Sequence, residues 1–182
     1  SEYWTKYGQT LITEIGEKHE ELSKPSEPDT PSEEQATVWV VGDSTVCSFT
    51  DAYYYPRYGW GTQLSNYFDS SLKVENLALS GRSSKSFTTE DNYKTLMDSM
   101  TSGDYLLVGF GHNDEKAEDG RYTDPNGDYT AEGSFANSLY ENYVKPAQEK
   151  GVTVILCTPI VRRTANGEWS RSNLHVTADT VS

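Results

Sequence analysis

The sequence predicts an α/β fold in which a parallel sheet lies between layers of helices, and three observations carry that expectation. Four short runs rich in β-branched and apolar residues, Thr37–Val41, Val74–Leu79, Tyr105–Phe110 and Val152–Cys157, recur along the chain. Between them lie stretches whose apolar residues fall at helical spacing. The third run, YLLVGF, has no polar alternation, as a strand buried on both faces requires. Strands alternating with helices build βαβ units, and those units build a parallel sheet.

Residues 1–21 show a short helical pattern around Leu11, Ile12 and Ile15, and read as a helical arm or the end of a preceding module. Residues 22–36, LSKPSEPDTPSEEQA, hold three prolines, three serines and many acids. Such a composition buries no core and reads as an extended acidic linker. Residues 37–182 form the main domain. Its first strand, Thr37–Val41, runs into a Gly-Asp-Ser turn. Gly61–Phe68 reads as a helix with Leu64 and Phe68 on one face. Val74–Leu79 is the second strand. Glu90–Met100 is a helix with Tyr93, Leu96, Met97 and Met100 inward and Gly103 as its stop. After the third strand comes a polar loop, Glu115–Thr130, full of turn signals. Ser134–Lys150 reads as a long helix that Pro146 bends or breaks. Val152–Cys157 is the fourth strand. Beyond Thr158-Pro159 the chain is polar and offers no further apolar strand, so the sheet looks short at its C-terminal end.

The composition narrows the partners. Acidic residues number 28 against 15 basic, a net charge of −13. That surface repels nucleic-acid phosphate and anionic membrane, so neither is an expected partner. No apolar run approaches the roughly 20 residues that span a bilayer. The polar N-terminus shows no signal peptide, as in a mature secreted protein after processing. Cys47 and Cys157 have no metal spacing and read as buried free thiols. His19, His112 and His175 are too scattered for a zinc site, and no metal or organic cofactor is expected. The 13 tyrosines and 4 tryptophans serve packing in the main, with sugar stacking the alternative use of such rings.

In a parallel sheet the four strands end on one crevice, where ligands collect. The turns there are Gly42-Asp43-Ser44-Thr45, Ser80-Gly81-Arg82-Ser83-Ser84, Gly111-His112-Asn113-Asp114, and Thr158-Pro159 with Val161-Arg162-Arg163. Ser44 sits where a reactive hydroxyl is useful. Asp43 reads as structural, its carboxylate holding the turn. Each residue alone has an ordinary explanation: a serine caps a helix, a glycine serves a turn, an asparagine bonds a loop.

Together, GDST, NLALSGRSS and GHND in that order on successive strands resemble the SGNH (GDSL) hydrolases. Trp60-Gly61-Thr62-Gln63-Leu64 and the TPIVRR segment resemble the rhamnogalacturonan acetylesterase-like members of that family. The resemblance covers roughly residues 37–182 and implies the flavodoxin-like SGNH fold, without its C-terminal strand and helix. It makes Ser44 the nucleophile. It makes the N–H of Ser44, the N–H of Gly81 and the amide of Asn113 the donors to an oxyanion. The chemistry suits them. An attacked ester carbonyl becomes an oxyanion, and fixed donors aimed at it contribute several kcal/mol. Gly81 lets a backbone N–H approach with no Cβ in the way, and Asn113 is a neutral donor. Arg82, His112 and Arg162 are candidate substrate-binding residues, since Arg forks match a uronate carboxylate.

The resemblance also implies an Asp-x-x-His pair that activates the serine, and no such pair follows Cys157. His175 precedes Asp179 and does not fit the pattern. The base is therefore expected on a segment outside this sequence or on a second chain, unless the domain is an inactive binder. The expected activity is a serine esterase removing acetyl groups from plant cell-wall polysaccharide: pectin, rhamnogalacturonan or xylan. The substrate is an acetylated polysaccharide or oligosaccharide, met by a secreted, multi-module protein. The alternatives are a general acyl esterase or lipase, and a carbohydrate-binding domain without turnover.

Overall fold

The computed structural model describes residues 35–117, 120–163, 169 and 170. The helical arm, most of the acidic linker and His175 lie outside the described residues. Four parallel strands form one sheet in the order β2-β1-β3-β4: β1 Ala36–Gly42, β2 Leu72–Asn76, β3 Tyr105–Gly109 and β4 Thr153–Leu156. β1 is central, pairing with β2 from Ala36 opposite Leu72 and with β3 from Val38 opposite Tyr105. The register ends with Gly42 opposite Gly109, so the loops after β1 and β3 leave the sheet side by side.

The two strands with continuous apolar runs take the two central places. Val38, Val40 and Val41 of β1 and all of β3 are buried. Each such side chain contributes about 1.5–3 kcal/mol when fully buried. On one face Trp39, Val41, Leu106 and Val108 pack under Phe87, Leu96, Phe110 and Tyr143. On the other, Val38, Val40, Tyr105 and Leu107 meet Val46, Cys47, Leu64 and Leu72. Asp104, itself buried, accepts from Thr37 N–H (2.8 Å), Trp39 Nε1 (2.9 Å) and Thr101 N–H (2.9 Å), fastening the start of β3 to β1.

Several elements differ from the sequence expectation. The second strand ends at Asn76; Leu77 and Leu79 still donate to Val40 and Gly42 carbonyls (2.8 and 3.0 Å), but as the first rungs of a loop. The helix expected at Gly61–Phe68 is a 3₁₀ helix, Trp60–Tyr67, with Gly61 and Leu64 buried. A 3₁₀ turn, Ser86–Thr89, precedes the helix α1, Asp91–Ser99. The long helix is three pieces: α2 Phe135–Leu139, a π segment Tyr140–Val144, and α3 Lys145–Glu149. Pro146 has no N–H and its ring crowds the carbonyl four residues back. The chain widens one turn before it, and Lys145 N–H reaches Tyr140 O, five residues back. Past β4 there is a two-residue hairpin, β5 Arg162–Arg163 against β6 Trp169–Ser170, apart from the main sheet. Two-residue strands are too short to carry a hydrophobic pattern in the sequence. Among the described residues no helix is long and apolar enough to cross a membrane.

Candidate active site

Ser44 lies on the turn leaving β1, and Val46 fixes that turn. Val46 is fully buried, and a Cβ on Gly42 would stand 2.6 Å from its Cγ2 and 2.5 Å from Gly109 O. A Cβ on Gly109 would stand 2.9 Å from the same methyl. The turn therefore folds back onto the strand ends because both lack side chains there. Asp43 closes it as expected: Oδ1 accepts from Thr45 N–H and from Thr45 Oγ1 (both 2.8 Å), and its carbonyl accepts from Val46 and Cys47 N–H (3.0 and 2.9 Å). Among the described residues neither the hydroxyl nor the N–H of Ser44 meets a hydrogen-bond partner.

The loop after β2 is laid beside this turn by the Leu79 N–H to Gly42 O bond. Gly81 has φ +78°, and a Cβ there would meet nothing within 4 Å. That backbone conformation is one L side chains rarely adopt, so the turn itself calls for glycine. The loop after β3 joins from the other side. Asn113, 7% exposed, donates from Nδ2 to Arg82 O (3.0 Å), and its Oδ1 accepts from Arg121 (3.2 Å). Arg121 also donates to Gly81 O (3.3 Å). Gly81, Arg82 and Asn113 are thereby joined in one network, with the Ser44 turn on the strand between their loops. The Asn113 amide is held at both ends, leaving its second N–H for another acceptor.

Behind Asn113, Asp114 is fully buried. It accepts from Ser84 N–H (3.1 Å), the Ser84 hydroxyl (2.5 Å) and Thr123 Oγ1 (3.1 Å). Burial pushes its carboxyl up to about 6, against the lowering effect of these donors and with a further push from Asp43. Ser84 also lies 2.8 Å from Ser138 Oγ on α2, and its carbonyl accepts from the buried Tyr143 hydroxyl (2.7 Å). Burial raises Tyr143 well above its ordinary value. The two loops that carry Gly81 and Asn113 thus share a polar core anchored on the helical layer.

Beside Gly81 opens a cavity of about 600 Å³ lined by Arg82, Lys85, Arg121 and the hydroxyl residues Ser86, Thr88 and Thr89. Arg82 is braced by Glu90 (2.8 Å) and Ser80 O (2.9 Å). Lys85 and Arg121 escaped the sequence reading. Arg121 sits in a turn-rich loop with no motif, and only loop closure brings it to Gly81. His112 contacts Ile160 O and so ties the β3 loop to the segment after β4. Arg162 is placed only as backbone in β5. Cys47 is buried and its thiol is raised by burial and by Asp43. Both cysteines are free; Cys157 is half-buried as a residue, yet burial pushes its thiol up to about 12, which disfavours the thiolate. Among the described residues no cluster is suited to a metal ion.

Comparison with known proteins supplies independent findings. Residues 38–179 match the family described as GDSL-like Lipase/Acylhydrolase. The chain is 35% identical over 126 residues to a probable rhamnogalacturonan acetylesterase, YesY, of Bacillus subtilis, covering 69% of this chain and 54% of that protein. It is 30% identical over 161 residues to a rhamnogalacturonan acetylesterase of Emericella nidulans, covering 81% and 60%. A crystal structure of YxiM from Bacillus subtilis aligns with a TM-score of 0.62 at 25% identity, covering 87% of this chain and 42% of that one. The chain spans about half the length of the curated relatives it matches.

Proposed function

This chain belongs to the GDSL-like lipase/acylhydrolase family, with the SGNH hydrolase fold, and we propose that it is the serine-bearing part of a carbohydrate acetylesterase. Its substrate is an acetylated acidic polysaccharide of the rhamnogalacturonan type. The observation that carries the reading is the bonded network of Gly81, Arg82, Asn113 and Arg121 beside the Ser44 turn. The relatives named as rhamnogalacturonan acetylesterases support the substrate class.

In this reading the Ser44 oxygen adds to the acetyl carbonyl carbon as its proton passes to a base. The carbonyl electron pair moves onto oxygen, where the N–H groups of Ser44 and Gly81 and the free N–H of Asn113 receive it. Collapse expels the sugar hydroxyl, which takes the proton, and leaves acetyl-Ser44. Water, giving a proton to the same base, then attacks that ester; acetate departs and the proton returns to the Ser44 oxygen. The base belongs to the Asp-x-x-His pair implied by the family resemblance. Arg82, Lys85 and Arg121 give the cavity beside Gly81 positive potential within a protein of net charge −13, which suits a uronate carboxylate. The protein is read as a secreted one.

The test is acetate release from acetylated rhamnogalacturonan, and hydrolysis of a chromogenic acetate ester, by the chain alone and by the chain extended at its C-terminus. Activity that appears with the extension and vanishes in Ser44→Ala supports the reading. An extended chain that is inert, or one in which Ser44→Ala changes nothing, overturns it.

A further inference from the structure

The eleven residues between Cys47 and Gly59 form an excursion rooted in the candidate nucleophile turn. Gly59 N–H donates to Cys47 O (2.8 Å) and Trp60 N–H to Thr45 O (2.9 Å), so the loop leaves and returns within a few residues of Ser44. Its backbone is tied by local hydrogen bonds. A 3₁₀ turn spans Ala52–Tyr54, capped by Asp51, whose Oδ1 accepts from Tyr53 N–H (2.8 Å). Arg57 N–H closes on Tyr54 O (2.6 Å).

On this frame the loop displays aromatic rings to solvent. Tyr53 and Tyr55 are each 85% exposed and Tyr58 is 57% exposed. Tyr54 serves as the pedestal: its ring lies 5.0 Å from Phe49 and meets Tyr53 edge-on at 5.1 Å. Rings this exposed contribute little to the core, and large apolar surface left in water marks a binding surface. Their chemistry is specific. A phenol ring offers a flat apolar face and a polar tip at small entropic cost. That pairing matches a pyranose ring, which has a C–H face and a rim of hydroxyls. Lipid would call for aliphatic side chains, and an anionic bilayer would meet a protein of net charge −13.

We infer that Tyr53 and Tyr55, supported by Tyr54 and Phe49, form a stacking platform for sugar rings of the polysaccharide chain on the Ser44 side of the site. The inference rests on the proposed carbohydrate substrate and adds where the polymer is gripped away from the scissile ester. The loop has one backbone-engaged acid, Asp51, and one exposed cation, Arg57, so a uronic acid ring is accepted as readily as a neutral one.

The experiment measures retention of the full chain by acetylated rhamnogalacturonan in affinity electrophoresis, with sedimentation velocity alongside. The double substitution Tyr53→Ala/Tyr55→Ala is expected to weaken retention at least tenfold, whereas Tyr53→Phe/Tyr55→Phe keeps most of it, because stacking needs the ring and not the hydroxyl. Circular dichroism and thermal melting of the alanine variant should match the parent, as both rings are solvent-exposed. Ser44→Ala should bind the polymer as the parent does. Equal retention of parent and alanine variant, or no retention of the parent, overturns the inference. So does a parent that self-associates through these tyrosines and loses that association in the variant without a change in retention. A chain that shows tyrosine-dependent retention yet releases no acetate, even when extended, leaves the platform standing and sinks the esterase reading instead.

Discussion

The side-chain amide of Asn113 donates to the backbone carbonyl of Arg82 across 3.0 Å, joining loops that leave opposite neighbours of β1. One N–H is spent on that carbonyl and the amide oxygen on Arg121, so the second N–H points in one fixed direction.

Asn113→Ala should therefore lower kcat by about 10²–10³ in the extended, active protein with little change in KM, as loss of a single oxyanion donor does. Its stability should fall by about 1–3 kcal/mol, because two side-chain hydrogen bonds are lost and the Arg82 carbonyl is left without its donor. Steady-state kinetics and urea denaturation measure the two effects separately. A drop in kcat no larger than the loss of folded protein would remove Asn113 from the reacting site.

Asp114 makes the stability of this region depend on pH. Its carboxyl, ordinarily at 3.8, is raised to about 6 by burial. The folded state thus holds the proton more tightly than the unfolded one. The stability it contributes is fully present below about pH 3.8 and is lost as pH rises through about 6. The upper bound for that loss is about 3 kcal/mol at 1.36 kcal/mol per pKa unit. Asp114→Asn keeps the shape and removes the titration. The stability of the parent minus that of the variant should fall by about 1–3 kcal/mol between pH 4 and pH 7 in urea denaturation. A difference flat in pH would contradict the assignment.

Gly42→Ala should be far more damaging than an ordinary glycine-to-alanine change in a strand. The new methyl would stand 2.5 Å from Gly109 O and 2.6 Å from Val46 Cγ2, both buried. We expect a loss of about 2–3 kcal/mol from this overpacking, seen in chemical denaturation. Gly81→Ala should behave differently: there is open space around the new methyl, and the penalty comes from φ +78°.

Lys85→Glu reverses one charge at the rim of the cavity without touching Ser44 or Asn113. In the active, extended protein it should raise KM for an acetylated uronate polymer several-fold and leave kcat/KM for a small neutral acetate ester unchanged. The difference should shrink in about 1 M salt, where the screening length drops to about 3 Å. Salt-independent kinetics would separate this cavity from substrate binding.

The sheet was legible because its central strands are nearly pure apolar runs, and TVWVV and YLLVG sit where such runs must sit. The ends of β2 are not legible: the apolar Leu77 and Leu79 continue its pattern after the ladder has ended, and the charged Lys73 interrupts the pattern just after its start at Leu72. The three-part helix at 135–149 is visible in the sequence only as an irregularity at Pro146, because a π segment leaves no apolar pattern of its own. Within the site, Ser44, Gly81 and Asn113 announce themselves through local motifs. Val46, Arg121 and Asp114 do not, because each acts through a partner distant in sequence: Gly109, Gly81 and Ser84.

The parallel order of the sheet has a further consequence for biogenesis. β1 emerges from the ribosome well before either partner, since it must wait for Leu72 to begin one ladder and for Tyr105 to begin the other. Its VWVV segment is then an unpaired, sticky ribbon while the intervening chain is made, and distant pairings of this kind form slowly. Yield in a host cell should thus be governed by how well chaperones shield that one segment, more than by the final stability of the product.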